Sequence, residues 1–410
     1  MAKYLTLDDV KVKDKVVLVR VDFNSEVDNQ TKKVTSDVRI RAHAESTITE
    51  LAEEGAKVVV LAHQGRKGDP DFIPLKQHTE ILGKILKCPV QFVDDVYGEK
   101  AKKTIKNLKS GEILVLDNVR SFDGETKKGT PEEHAKTELV QNLAPLADLF
   151  VNDAFAAAHR AHVSIIGFTA KLPSAAGRIM ERELKSLSKA LDKPEKPCLF
   201  VMGGAKADDS LEISKYVLSN NIANMVLTGG VTSQVFLAAK GYKLGEKNIA
   251  FLEKKGLTGL IQGIKELMLK YPKGIVTPED LVLDVNGKRK EISLAELPAD
   301  YSIFDVGTKT IESYRKLVKE AKSIVLSGPM GVYENPEFAV GTKGIFEAIA
   351  NSEAFSLAGG GHTISALKQF GLSSRISYIS TAGGALIEFL MGKNLPGVVA
   401  LENAVKKKIT

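Results

Sequence analysis

Residues 16–23 read VVLVRVDF and residues 57–63 read KVVVLAH. Both are short β-branched runs, apolar at nearly every position rather than at every second one. A strand of that kind is covered on both faces, as in a parallel sheet sandwiched between helices. Working outward, similar runs recur as PVQFV (89–93), ILVLDN (113–118) and LFVNDAF (149–155). Helical patterns separate them: RIRAHAESTITELAEEG (39–55), ended by Gly55; a stretch reaching Lys87; and TPEEHAKTELVQNLA (130–144), capped by Thr130. The second half repeats the scheme with CLFVM (198–202), NMVLTGG (224–230), SIFDV (302–306), SIVLSG (323–328) and FSLAGGG (355–361). The chain therefore reads as α/β, with two doubly wound parallel-sheet (Rossmann-like) domains joined by a helix. The joining segment is SAAGRIMERELKSLSKALDKPEKP (174–197). It reads as an amphipathic helix over 174–191, with Ile179, Leu184, Leu187 and Leu191 on one side, before a break rich in Pro and Lys. The expected domains are 1–173 before it and 192–391 after it.

Composition supports this division. At 410 residues, with 43% hydrophobic and 26% charged side chains, the chain is long enough for two or three globular domains. No apolar run reaches the roughly 20 residues of a membrane helix. The opening MAKYLTLDDVKVKDK lacks the apolar core of a signal peptide, so a cytoplasmic location is expected. Cys88 and Cys198 each open an apolar strand-like run, which predicts buried, inert thiols rather than a disulfide framework. The net charge of +6 suits anionic small molecules. With no Trp and only 6% aromatic residues, stacking surfaces for nucleic acid are scarce. Neither nucleic acid nor membrane is an expected partner.

Ligands of open α/β sheets sit beyond the carboxyl ends of the strands. In the first half those positions carry Asp22 and Asn24, His63 and Arg66, Arg120, then Asn152, Asp153, His159 and Arg160. Arginine forks grip phosphate and carboxylate bidentately. Arg39, Arg66, Arg120 and Arg160 with His63 suit one small, heavily anionic ligand, whose hydroxyl Asp22 and Asn24 would orient. His43, His78, His134 and His162 read as structural. In the second half the same positions carry bare backbone: Gly203 and Gly204 with Lys206, Gly229 and Gly230, Gly307, Ser327 and Gly328, and GGGHT (359–363). Glycine turns let backbone amides approach phosphates at a helix start. Neither a P-loop nor a G-x-G-x-x-G fingerprint is present. Lys206 is a candidate point charge for a phosphoryl group, and Glu334 a candidate for ribose hydroxyls. An anion site on one domain and a nucleotide-like site on the other point to phosphoryl transfer across a cleft, where positioning and positive charge do the catalysis.

At these residues the sequence resembles the phosphoglycerate kinase family. The resemblance is carried, in order, by VRVDFN (19–24), SDVRIRA (36–42), LAHQGR (61–66), LDNVRSF (116–122), VNDAFAAAHR (151–160), GGAK (203–206), LTGG (227–230), SGPMGVYE (327–334), GGGHT (359–363) and STAGGALIEFLMGKNLPGV (380–398). It implies reversible phosphoryl transfer between 1,3-bisphosphoglycerate and ADP, giving 3-phosphoglycerate and ATP, in glycolysis and gluconeogenesis. It implies that the phosphoglycerate binds through Asp22, Phe23, Asn24, Arg39, His63, Gln64, Gly65, Arg66, Arg120 and Arg160. It further implies that Mg2+-bearing ADP or ATP binds through Lys206, Gly229, Gly230, Glu334, Gly360, Gly361, His362 and Thr363. Arg39 and Lys206 would flank the migrating group as the catalytic pair. By the same resemblance the end of the chain, about 392–410, returns to the first domain, and the protein is a monomer or homodimer.

Departures from the family pattern accompany this. His362 stands where an Asp that helps hold Mg2+ is usual, so the ion's ligands are unassigned. Ser210 stands where a second Lys is usual, and Ala382 where Gly is usual. The His and the Ser look like the archaeal branch of the family. The rival reading is a nucleotide-binding homologue impaired in catalysis.

Overall fold

A computed structural model describes residues 3–409 of the chain, with side chains over 3–406. The outermost ends of the expected first domain, 1–2 and 410, lie outside the described residues. The chain divides into two compact units: Met1–Leu184 with Asn394–Thr410, and Lys185–Lys393.

The first unit is built on a six-stranded sheet of β1 (Val16–Arg20), β2 (Lys57–Leu61), β3 (Gln91–Val93), β4 (Ile113–Leu116), β5 (Leu149–Asn152) and β6 (Ser174–Ala176), in the order β3-β4-β2-β1-β5-β6. Every pairing is parallel. Val17, Val19, Val58, Val60 and Val115 enter one core, while Leu18, Val59, Leu61, Leu114 and Phe150 enter the core on the other face. All ten are fully buried, which is why the strands read as unbroken apolar runs.

Several sequence expectations need correction here. Residues 174–176 form the edge strand β6, so the connecting helix starts later, at Arg178–Leu191. The helical run 39–55 is helix Val38–His43, a π-helical turn Ala44–Ile48 and helix Thr49–Glu53. The run after Thr130 is two helices, Pro131–His134 and Glu138–Leu143, the first closed by a Thr130–Glu133 capping box. Cys88 is exposed, whereas Cys198 is buried and its thiol is pushed up to about 11 by burial. Cys88 precedes β3 because Lys87 ends its helix in the left-handed conformation, at φ 54.

The second unit holds a parallel sheet of β7 (Cys198–Met202), β8 (Met225–Thr228), β9 (Ile275–Val276), β13 (Ser323–Ser327), β14 (Phe355–Gly359) and β15 (Tyr378–Ser380). Its order is β15-β14-β13-β7-β8-β9. A separate three-stranded antiparallel sheet comprises β10 (Asp280–Val285), β11 (Lys288–Ser293) and β12 (Ile303–Val306). The run 302–306, expected in the parallel sheet, is therefore a strand of this smaller sheet. Ile303 and Val306 are buried here and Phe304 is half-buried, a pattern that composition alone does not separate from a parallel strand.

In the parallel sheet the strand order reverses between β7 and β13. There two strand exits touch backbone to backbone. A Cβ on Gly203 would lie 2.2 Å from the Pro329 carbonyl oxygen, and one on Gly328, at φ +92, would lie 2.2 Å from the Gly203 carbonyl oxygen. Asp305 ties β12 to the rest of the unit. It is 2% exposed, and its Oδ2 accepts from Gly341 N at 2.7 Å and from Arg289 Nη1 at 2.9 Å. Burial pushes its carboxyl up to about 6, outweighing the opposite pull of Gly341 and Arg289.

Two outcomes follow. Gly328→Ala combines a left-handed backbone with a backbone clash and is expected to destabilise the second unit by roughly 2–4 kcal/mol, read by denaturant unfolding. Because the folded pKa of Asp305 lies above its unfolded value, the folded state holds this proton more tightly. Its contribution is full below about pH 4 and is lost as pH rises toward about 6. Relative to Asp305→Asn, the wild type should lose on the order of 2–3 kcal/mol across that window in pH-dependent unfolding.

Candidate functional site

In the first unit the strand order reverses between β1 and β5, and the cations come from the loops beyond β2, β4 and β5. Arg66, Lys67, Arg120, Arg160 and His162 line a cavity of about 500 Å³ together with Phe122, Asp123 and Thr126. Arg120 reaches it by a local device. The Asn118 side chain accepts from Arg120 N at 3.1 Å and opens the short turn Val119–Ser121 that carries Arg120. Gly65, at φ +64, accepts from the Arg120 guanidinium and donates to Asn24 Oδ1 at 2.8 Å. Crowded burial pulls Arg120 down to about 10, with burial first and then Arg160 and Arg20 as causes. The same burial, reinforced by Arg120 and Arg160, takes His162 down to about 3. An anion entering this cavity relieves repulsion among groups that the fold holds together.

Other predicted residues stand as follows. Arg39 is ion-paired with Asp22, whose other oxygen accepts from Asn24 N at 3.1 Å. His63 is buried beside this set, and burial with Arg20, Arg120, Arg160 and His162 holds its ring well below the usual histidine range. The Phe23 side chain is in the core, stacked on His78. The Gln64 side chain is buried and bonded to Ser25 and Asp71, so both side chains shape the wall from behind. Of the histidines read as structural, one departs from that reading and the others keep it. His162 lines the cavity, and His43 bridges Asp22 N at 3.1 Å and Asp153 Oδ2 at 2.6 Å. His78 and His134 remain internal, held by Gln64 and by the Ala161 carbonyl. Arg20, 1% exposed at the end of β1, went unremarked in the sequence; a charge inside a buried strand was its signal.

In the second unit a pocket of about 180 Å³ opens where β7 and β13 end. Its wall includes Gly204, Ala205, Gly230, Pro329, Met330, Glu334 and His362. The glycines work by shape. The amides of Gly204, Gly229 and Gly230 are already bonded to the carbonyls of Pro329, Met202 and Met330 at 2.7, 3.0 and 2.7 Å. These amides are not a phosphate cradle. The helix Gly361–Gln369 offers a better one: it starts after Gly360 at φ +93, with open space beside Gly361. Thr363 is buried, and its hydroxyl accepts from Gly328 N at 2.7 Å, tying that helix start to the β13 exit. His362 is exposed, with Nδ1 3.5 Å from Glu334 Oε1. Lys206 is 80% exposed at the start of helix Ala207–Ser219, and Ser210 is turned inward against Thr232.

Comparison with known proteins agrees with this architecture. The family model described as phosphoglycerate kinase matches residues 7–393. A phosphoglycerate kinase of Methanothermobacter thermautotrophicus is 46% identical, covering 98% of this chain and 97% of its own. One from Pyrococcus abyssi is 44% identical over 98% of both. The crystal structure of phosphoglycerate kinase from Pyrococcus horikoshii OT3 superposes with a TM-score of 0.88 at 41% identity, covering 98% of this chain and all of that one. The enzyme from Coxiella burnetii gives 0.84 at 33% identity, covering 98% and 99%. A likeness that runs through both units, in sequence and in structure alike, leaves one assignment: the chain belongs to the phosphoglycerate kinase family.

Proposed function

We propose that this phosphotransferase divides its substrates between its two units. 3-Phosphoglycerate or 1,3-bisphosphoglycerate is held by the first, and ADP or ATP by the second. The observation that carries this reading is the contrast between the two strand-order reversals: one is ringed by Arg66, Arg120 and Arg160, the other is walled by glycine. A glycerate bearing a carboxylate and phosphate suits the forks, with its hydroxyl taken by Asp22 and Asn24. A flat base suits the narrow pocket, with Glu334 toward the ribose and the phosphates toward the start of helix Gly361–Gln369. The acceptor carboxylate attacks the γ-phosphorus of ATP, and in reverse ADP attacks the acyl phosphate. Arg39 and Lys206 balance the charge on the migrating group. Water would compete as acceptor, so productive transfer needs the site closed to solvent. The setting inferred is the cytoplasm, with the enzyme as a monomer or homodimer.

Among the described residues the side chains do not gather into a dedicated Mg2+ site. His362 supplies a nitrogen where oxygen is preferred, and no group of three or more candidate ligands occurs among the described residues. The Glu334 carboxylate is 3.5 Å from His362 Nδ1, and Asp208 and Asp209 stand in the first turn of helix Ala207–Ser219. Mg2+ would arrive on the nucleotide phosphates and offset their charge.

A coupled assay of ATP formation from 1,3-bisphosphoglycerate and ADP tests the reading. Arg39→Ala should lower kcat by roughly a hundredfold or more while leaving the Kd for ADP nearly unchanged. An unchanged kcat with only a raised KM for the phosphoglycerate would make Arg39 a mere anchor. His362→Ala should leave the Mg2+ requirement within about twofold, and His362→Asp should be tolerated, with Mg2+ titrations of activity as the readout. A large rise in the requirement of His362→Ala alone would make the imidazole a ligand.

A further inference from the structure

Beneath the cation cluster of the first unit lies a buried chain of polar groups that substrate contact does not explain. Arg20 ends β1 with its Nη2 3.0 Å from His63 Nδ1. Its Nε donates to Ser164 Oγ at 2.9 Å, and its Nη1 to the Val21 carbonyl. Ser164 Oγ donates to Glu125 Oε1 at 2.6 Å, and Ser164 N to Glu125 Oε2 at 2.9 Å. Glu125 and Ser164 are both fully buried.

Proton bookkeeping sets the direction of every link. A guanidinium only donates, so His63 Nδ1 must present a lone pair. The neutral ring then carries its one proton on Nε2. Ser164 has one hydroxyl proton; accepting from Arg20, it gives that proton to Glu125. A second proton on His63 would set an N–H against the Arg20 N–H. It would also be opposed by Arg20 of β1, Arg120 beyond β4, and Arg160 and His162 beyond β5. The ring is 5% exposed, and its Nε2 has no hydrogen-bond partner among the described residues.

We propose that Glu125, Ser164 and Arg20 are positioning residues that hold His63 as the neutral Nε2–H tautomer, a hydrogen-bond donor to an anionic oxygen of the ligand in this site. The inference rests on the reading that the first unit binds the phosphoglycerate. It gives His63 a role distinct from the arginines. They supply charge, whereas His63 supplies one directed N–H whose state does not change near neutral pH, unlike that of an unperturbed histidine.

The test combines NMR of nitrogen-labelled histidine in the full chain without ligand with the KM for 3-phosphoglycerate across roughly pH 6 to 8. His63 signals are assigned by their loss in His63→Gln. The wild type should show a pyridine-like Nδ1 and a protonated Nε2 throughout. His63→Gln, whose amide N–H can reach the Nε2 position, should keep KM within roughly threefold, and His63→Ala should raise it roughly tenfold or more. Ser164→Ala should admit some Nδ1–H tautomer and give KM a pH dependence that the wild type lacks, with the effect larger in KM than in kcat. A wild-type ring found as Nδ1–H or imidazolium overturns the tautomer assignment. A fixed tautomer with KM unmoved in His63→Ala overturns the ligand contact. If 3-phosphoglycerate shifts no histidine signal of the first unit, the underlying site reading fails, and the proposal fails with it.

Discussion

A parallel sheet covered on both faces leaves only its ends open, and this constraint organises each unit. Val17 and Leu18, adjacent in β1, are sealed in different cores, as are Val58 and Val59 in β2. Nothing can bind against such faces. Chemistry is confined to the loops beyond the strand ends, and it concentrates where the strand order reverses and neighbouring loops diverge. In the first unit the reversal lies between β1 and β5, whose exits lead to Asp22 and to Arg160. In the second it lies between β7 and β13, whose exits lead to Gly204 and Pro329. The two sheets thus place opposite chemistries at equivalent points.

That concentration has an electrostatic cost, which the first unit manages by depth. Arg66, Arg120 and Arg160 repel one another near the cavity, and burial worsens this for Arg120. The compensating negative groups lie behind or beside them. Glu125 is buried beneath, and burial raises its carboxyl although Arg20 and Ser164 pull it down. Asp22 pairs with Arg39 at the side. The front is left electropositive for a ligand that brings its own charge. The second unit solves a different problem, bringing two turns within contact distance, and does so by omitting side chains at Gly203 and Gly328.

The sequence showed the architecture well where burial on both faces wrote continuous apolar runs. It was less legible where the same composition serves two purposes. SIFDV has the apolar composition of a parallel strand but pairs in the small antiparallel sheet, with Phe304 only half-buried. The partner hairpin of β10 and β11 carried a usable sign in Asn286-Gly287, both at positive φ, which fits a two-residue turn. Cys88 was misplaced because an apolar run does not reveal that the helix before it ends at Lys87. In the site, residues at strand exits were found by position. Arg20, Glu125 and Ser164 were not, because their importance depends on contacts across 144 and 39 positions of sequence. The glycine amides show the converse: their spacing suggests a cradle, but in the fold their N–H groups are already bonded to backbone carbonyls.

The second unit is one uninterrupted stretch, Lys185–Lys393, whereas the first is assembled from Met1–Leu184 and a returning segment from Asn394 onward. That segment is integral to its unit. Gly397 N donates to the Ala158 carbonyl at 2.8 Å, and Ala400 packs with Ala154, Ala157, Ile165 and Ile166. During synthesis from the N-terminus, the unit begun first is therefore the one completed last. As the chain leaves the ribosome, the second unit has its whole sequence available while the first still lacks its returning helix, Pro396–Ile409. The loops of the first unit that carry its crowded like charges acquire this support only after the whole of the second unit has been made.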